Sequence, residues 1–202
     1  MDYNVLSIDI DWCQSHFHLN KLNQLFYSKI NNAKKIVFAK HHHQIIPELV
    51  NENNIILHNI DHHHDIQFEE WQISQIQNGI ATHGCWIGNL IQYGKIKKYN
   101  WYKNLDSGVN FSDFVSRSVL NNKLAFSIED DLTEAEKTKS YDLIFVCHSP
   151  EYISPRWSVL YRSYFDCCMA LYNSKTTTHK FEIDMKNTPI FLKAEKTEGI
   201  KE

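Results

Sequence analysis

Short apolar runs alternate with amphipathic stretches along this chain. Val5 to Ile10 (VLSIDI), Ile36 to Ala39 (IVFA), Ile55 to Ile60 (IILHNI) and Leu143 to Cys147 (LIFVC) have strand length, and each runs into acids or histidines. Helical spacing appears from about Leu19 to Asn31, where Leu22, Leu25, Phe26 and Ile30 share a face. A short helix is predicted over Gln44 to Val50, with Pro47 in its first turn or at a kink. Glu69 to Gly94 reads as helix in two parts, broken at Asn78-Gly79 and at Ala81 to Gly84. Lys95 to Tyr102 alternates basic with aromatic or apolar residues and predicts a more exposed strand. Ser112 to Asn121 reads as a helix capped by Ser112, and Leu132 to Lys139 as a short acidic one. Ser154-Pro155 opens a long helix whose face runs from Trp157 through Tyr161, Tyr164, Phe165 and Cys168 to Leu171 and Tyr172. A last strand is predicted at Pro189 to Leu192, before a frayed tail over 193–202.

Apolar strands interleaved with helices imply an α/β fold, a three-layer αβα arrangement around a mainly parallel central sheet. No linker or repeat interrupts residues 1–202, so one domain is expected. Ligands of such sheets bind beyond the carboxyl ends of the strands. Here those ends carry Asp9 and Asp11, His41 to His43, Asp61 to Asp65, and His148 with Glu151.

Composition narrows the function. A net charge of −3 offers no basic field for nucleic acid or an anionic membrane surface. No apolar stretch approaches the roughly 20 residues that span a bilayer, and MDYNVLSIDIDW lacks a basic n-region, so the cytoplasm is the expected compartment. Five cysteines without a C-x-x-C pair argue against a disulfide framework and a thiolate zinc site. Histidine stands out: there are 12, half of them in the triplets His41-His42-His43 and His62-His63-His64.

The period-two alternation of a strand puts Asp9 and Asp11 on one face, and Asp61, His63 and Asp65 on one face if extended backbone continues that far. Five such groups converging from separate strand ends need a cation among them. A carboxylate-rich set with imidazole and no thiolate suits manganese, with zinc, iron or cobalt as substitutes. Two ions sharing carboxylates would activate a trapped water toward an electrophilic carbon. His62 and His64, on the opposite parity, read as supporting or surface residues, and His16, His18, His58 and His179 as packing ones.

Ser7-Ile8-Asp9-Ile10-Asp11 resembles the S-x-D-x-D motif of the arginase (ureohydrolase) superfamily, and Asp61-His62-His63-His64-Asp65 resembles its D-x-H-x-D motif. Thr82-His83-Gly84 is similar to the His-Gly element that carries a proton-shuttling histidine. HHHQIIPEL and LIFVCHSPEYISP resemble blocks of a small arginase-like family that includes the peptide arginases of ribosomal peptide natural-product pathways. The two acidic motifs stand in the reverse of the usual order, which implies a rearranged strand order.

The resemblance implies a binuclear manganese site. His42 and Asp65 would bind one ion, His63 and Asp11 the other, and Asp61 and Asp9 would bridge. His42 is the member of its triplet that aligns when Pro47 is superposed. His83, Glu151 and Asp65 form the implied catalytic set, with His83 as proton shuttle and Glu151 pairing with a substrate guanidinium; Glu151 is equally suited to the start of the helix that follows. The implied activity is attack of metal-bound hydroxide on the guanidinium carbon of an arginine in a precursor peptide, giving ornithine and urea. Two alternatives stay open. Asp61-His62-His63 is also the D-H-H string of manganese phosphoesterases, although this chain has six Gly and no Gly-Gly for their Gly-rich module. A non-catalytic metal- or peptide-binding module on the same fold is the other.

Overall fold

Strand-length apolar runs with no polar face are stable only when covered on both sides. The computed structural model shows that cover. It describes residues 1–67, 70–104, 107, 124–153 and 155–175, with two-residue strands at 182–183 and 190–191. Ser112 to Asn121, Ser154, His179 and the 193–202 tail lie outside the described residues.

Strands β1 (Tyr3–Asp9), β2 (Ala33–Ala39), β3 (Ile55–Ile60), β5 (Ile96–Tyr102), β6 (Ala125–Glu129) and β7 (Tyr141–Cys147), with the two-residue β8 (Glu182–Ile183), form one sheet in the order β6-β5-β3-β1-β7-β2-β8. Every neighbouring pair in it is parallel. A separate antiparallel pair joins β4 (Ile80–Ala81) to β9 (Ile190–Phe191). Helices α1 (His16–Lys29), α5 (Thr133–Lys137) and α6 (Pro155–Lys175) contribute to one core with Leu6, Ile8, Phe38 and Val146. Helices α2 (Ile46–Leu49) and α4 (Trp86–Gln92) cover Val5, Val37, Leu57 and Phe145 on the other face. The short α3 (Trp71–Gln77) lies against α4. The result is the three-layer αβα arrangement that the hydrophobic pattern predicts.

Register positions the site. Ile8 pairs with Ile60 of β3 and with Val146 of β7, while Ala39 of β2 and Asp9 of β1 both pair with Cys147. Four strands therefore stop at one level, and the residues after them meet there.

Two segments differ from their sequence pattern. Lys95 to Tyr102 reads as an exposed strand, but β5 is mostly buried, because β6 pairs along its outer edge and Tyr99 and Trp101 fill the core. Strand β6 itself carries no apolar run, and its half-exposed edge position removes the need for one. No helix among the described residues is long and apolar enough to cross a membrane. All five cysteines are unbridged.

Candidate metal centre

Turns, rather than continued strands, deliver the acidic residues. β1 ends at Asp9, and Asp11 sits in a single 3-10 turn over Ile10–Trp12, where Asp9 Oδ1 accepts a hydrogen bond from the Asp11 amide at 3.1 Å. After β3 the chain turns again: Asp61 Oδ1 accepts from the His63 amide at 2.8 Å, and Asp65 adopts φ +50°. The extended backbone needed for a shared strand face is therefore absent in both motifs. Convergence survives because an Asp side chain bonding the amide two residues on is a self-contained turn.

His42 stands at the centre, at the first position of a 3-10 turn over His42–Ile45. Its Nδ1 lies 3.2 Å from Asp9 Oδ2, 3.0 Å from Asp61 Oδ2 and 3.0 Å from Asp65 Oδ2. Its Nε2 meets Ser7 Oγ at 2.6 Å, which fixes the ring and leaves Nδ1 facing the carboxylates. A second group adjoins the first: His63 Nδ1 is 3.1 Å from Asp11 Oδ2 and 3.9 Å from Asp61 Oδ1. Ligand atoms of Asp9, His42 and Asp61 fall within 4.8 Å of one another, as do those of Asp11, Asp61 and His63. Asp61 belongs to both groups, offering one oxygen to each.

The electrostatics are compatible with a cation at this centre. Asp9, Asp11, Asp61 and Asp65 are all buried, against two imidazoles. Burial, with the charges of Asp9 and Asp61, pushes the Asp11 carboxyl well above its usual range; burial and Asp65 raise Asp61 to about 7. Burial also raises Asp65. Burial opposes charge on Asp9 too, but the close His42 imidazole, with the hydrogen bond from Ser149, outweighs it and holds its pKa down. Burial likewise opposes charge on the imidazoles, but the close carboxylates of Asp61, Asp65 and Asp9 raise His42 well above normal, and the nearby Asp11 and Asp61 carboxylates raise His63 to about 10. Yet buried His42 Nδ1 and Asp11 Oδ2 make no hydrogen bond: their neighbours surround them without the angle that a hydrogen bond requires. Converging donors that crowd without bonding one another are compatible with a divalent metal ion.

Other contacts hold the donors in place. Ser149, at φ +40°, donates its hydroxyl to Asp9 Oδ2 at 2.5 Å. The indole of Trp86 donates to Asp65 Oδ2 at 2.5 Å. Left-handed backbone at two non-glycine residues costs about 1–3 kcal/mol each, and both carry side chains tied into the centre.

A cavity of about 280 Å³ opens beside the centre, reaching Asp9, His42, His63 and Asp65. Trp71, Gln72, His83, Gly84, Ser149 and Tyr152 complete its wall, with Trp71 61% and Tyr152 44% exposed. The buried Nδ1 of His83 makes no hydrogen bond; burial lowers the pKa of the ring, Glu151 opposing. Glu151 is not part of that wall: its Oε1 lies 2.7 Å from His41 Nδ1. His62 turns to Asn104 and Ser107, both at 3.3 Å, and buried His64 accepts from the Ile66 amide at 3.1 Å. The roles of Ser7, Ser149, Trp86, Trp71, Gln72 and Tyr152 were not evident from the sequence. Only Ser7 and Ser149 had a pointer, each lying beside a strand-end cluster.

No family model, curated protein or solved structure matches this chain.

Proposed function

We propose that this protein is a manganese-dependent amidinohydrolase that converts arginine residues of a peptide to ornithine and urea. The observation that carries the reading is the pair of buried Asp/His groups sharing Asp61, beside a cavity with no Lys or Arg among the described residues of its wall. A wall of carboxylates and aromatic faces suits a cationic substrate. The motif resemblances at Ser7 to Asp11, Asp61 to Asp65 and Thr82 to Gly84 point to a guanidinium.

Asp9, His42, Asp61 and Asp65 would hold one ion, and Asp11, Asp61 and His63 the other. Their oxygen-rich, thiolate-free donor set favours manganese. Ions bound there supply Lewis acidity and a water that ionises near neutral pH. That chemistry would let a water oxygen bond to the guanidinium carbon while the bond from that carbon to the side-chain nitrogen breaks, the nitrogen leaving with a proton. His83, kept neutral by burial, accepts a proton and returns it to the departing nitrogen. The faces of Trp71 and Tyr152 receive the planar cation, while Glu151 stays on His41.

The phosphoesterase alternative lacks support at the same wall, since among the described residues no Lys or Arg lines it to hold a phosphate. The test combines metal analysis of the purified protein with urea release and mass spectrometry of an arginine-containing peptide. Urea from the peptide, with urea lost and water gained in its mass, is the expected result. Activity on free arginine alone overturns the peptide substrate, and no urea with any divalent metal overturns the hydrolase. Asp9→Asn loses metal and urea together, whereas His83→Ala loses urea and keeps metal; a metal-storage module would be indifferent to His83.

A further inference from the structure

A second cavity, of about 230 Å³, adjoins the metal centre and has no part in the chemistry above. Tyr152 lines both cavities, and its ring lies 5.1 Å from that of His63 and 5.5 Å from that of His83. It is the partition between them. Behind it, buried Cys13, Ile153 and Tyr161 line the second cavity together with Trp157, whose ring stacks on Tyr161 at 6.2 Å and 9°. Among the described residues the wall has no Lys or Arg, and it is mixed in character: Asp11, Gln14 and His62 make one part polar, opposite the aromatic and aliphatic part. The His16–Trp157 ring contact joins the starts of α1 and α6 beside it.

Spacing names the occupant. On an extended peptide, side chains two residues apart project to the same side, about 6.4–6.8 Å from each other. That is close to twice the contact distance of about 3.5 Å between carbon atoms, so one aromatic ring fits between them. We propose that the second cavity is a subsite for a large apolar or aromatic side chain two positions from the target arginine, with Tyr152 sandwiched between the two side chains. The inference rests on the peptide-hydrolase reading and adds its sequence preference.

The test uses the manganese-loaded full chain and capped peptides Phe-Gly-Arg-Gly and Gly-Arg-Gly-Phe, each beside its Phe→Ala counterpart. Urea release and calorimetric binding are both measured. In one of the two orders the Phe peptide is expected to bind about tenfold or more tightly than its Ala counterpart, from burial of one aromatic ring. Trp157→Ala and Gln14→Trp, which empty and fill the cavity, should each abolish that preference while leaving urea release from the Ala peptide within about twofold. Urea release with equal affinity for Phe and Ala peptides in both orders overturns the subsite alone. A Phe preference in binding without urea removes the hydrolase and keeps the subsite. Neither binding nor urea overturns both.

Discussion

The indole N–H of Trp86 donates to Asp65 Oδ2 at 2.5 Å, and that same oxygen stands 3.0 Å from His42 Nδ1. A fully buried residue at the start of α4 thereby aims a carboxylate that lies 21 positions earlier in the chain. Trp86→Phe retains most of the buried ring and deletes the donor. Affinity for manganese should fall about 10–100-fold, as for other partners that orient metal ligands. Stability should drop by about 1–3 kcal/mol from the unpaired buried oxygen. Metal titration and denaturant unfolding measure the two effects separately, and an unchanged affinity would show that Asp65 is not a ligand.

Asp61 is common to both Asp/His groups, and His63 belongs to one. Asp61→Asn should therefore lose both equivalents of bound manganese, whereas His63→Ala should retain one. Elemental analysis after dialysis counts them. Equal loss in the two variants contradicts a shared carboxylate.

Metal binding should release protons. Without a cation, Asp61 titrates at about 7 and His63 at about 10, so at pH 7 Asp61 is about half-protonated and His63 is protonated, and a metal must displace those protons. The sign follows: affinity for manganese rises with pH and weakens as pH falls below 7. Calorimetry in two buffers of different ionisation enthalpy reads the proton count. Identical heats in both buffers would contradict this.

Gly88 of α4 has no room for a side chain. A Cβ there would lie 2.2 Å from the Ile66 carbonyl oxygen and 2.8 Å from Ile76 Cδ1. Since Ile66 follows Asp65, Gly88→Ala should displace the loop bearing that carboxylate, lowering metal content and costing about 1–3 kcal/mol or more. Gly94→Ala is the control. Its φ of +65° costs about 1–2 kcal/mol of backbone strain, but nothing lies within 4 Å of its Cβ, so metal content should not change.

His58 sets an acid limit away from the centre. It is buried, with Nδ1 2.7 Å from the Tyr102 hydroxyl. Burial, then the charge of Lys98, lower its pKa to about 4, against about 6.5 in the unfolded chain. The unfolded state binds the proton first, so this stabilisation is complete above pH 6.5 and is lost as pH falls toward 4, to a total of up to about 3 kcal/mol. His58→Phe should flatten the stability profile across that window in denaturant melts, while His64, lowered to about 3 by burial and His63, still contributes with the same sign.

Strand positions and their polar tips were legible because a fully covered strand must be apolar throughout, so VLSIDI, IILHNI and LIFVC stand out, and chemistry can begin only where such a run stops. Two of the segments this rule selects place their carboxylates at His42, and the third reaches the centre through Ser149 on Asp9. Edge strand β6 escaped the rule because one open side relaxes it. So did the motif geometry: period-two alternation points to a shared strand face, and the chain instead turns at Asp11 and at Asp61 to Asp65.

Local sequence thus determined the layers of the fold and the end of the sheet at which titratable groups gather, because periodicity and burial are properties of neighbouring residues. Tertiary structure alone decided that Glu151 turns to His41 and that Ser149, Trp86 and Tyr152 complete the surroundings; it also set against the carboxylates the His42 that the motif alignment on Pro47 had singled out. Those choices depend on parallel register between strands far apart in the chain and on the φ of single turn residues. A hydrogen bond of 2.5 Å between Ser149 and Asp9 spans 140 positions, a separation across which no local pattern carries information.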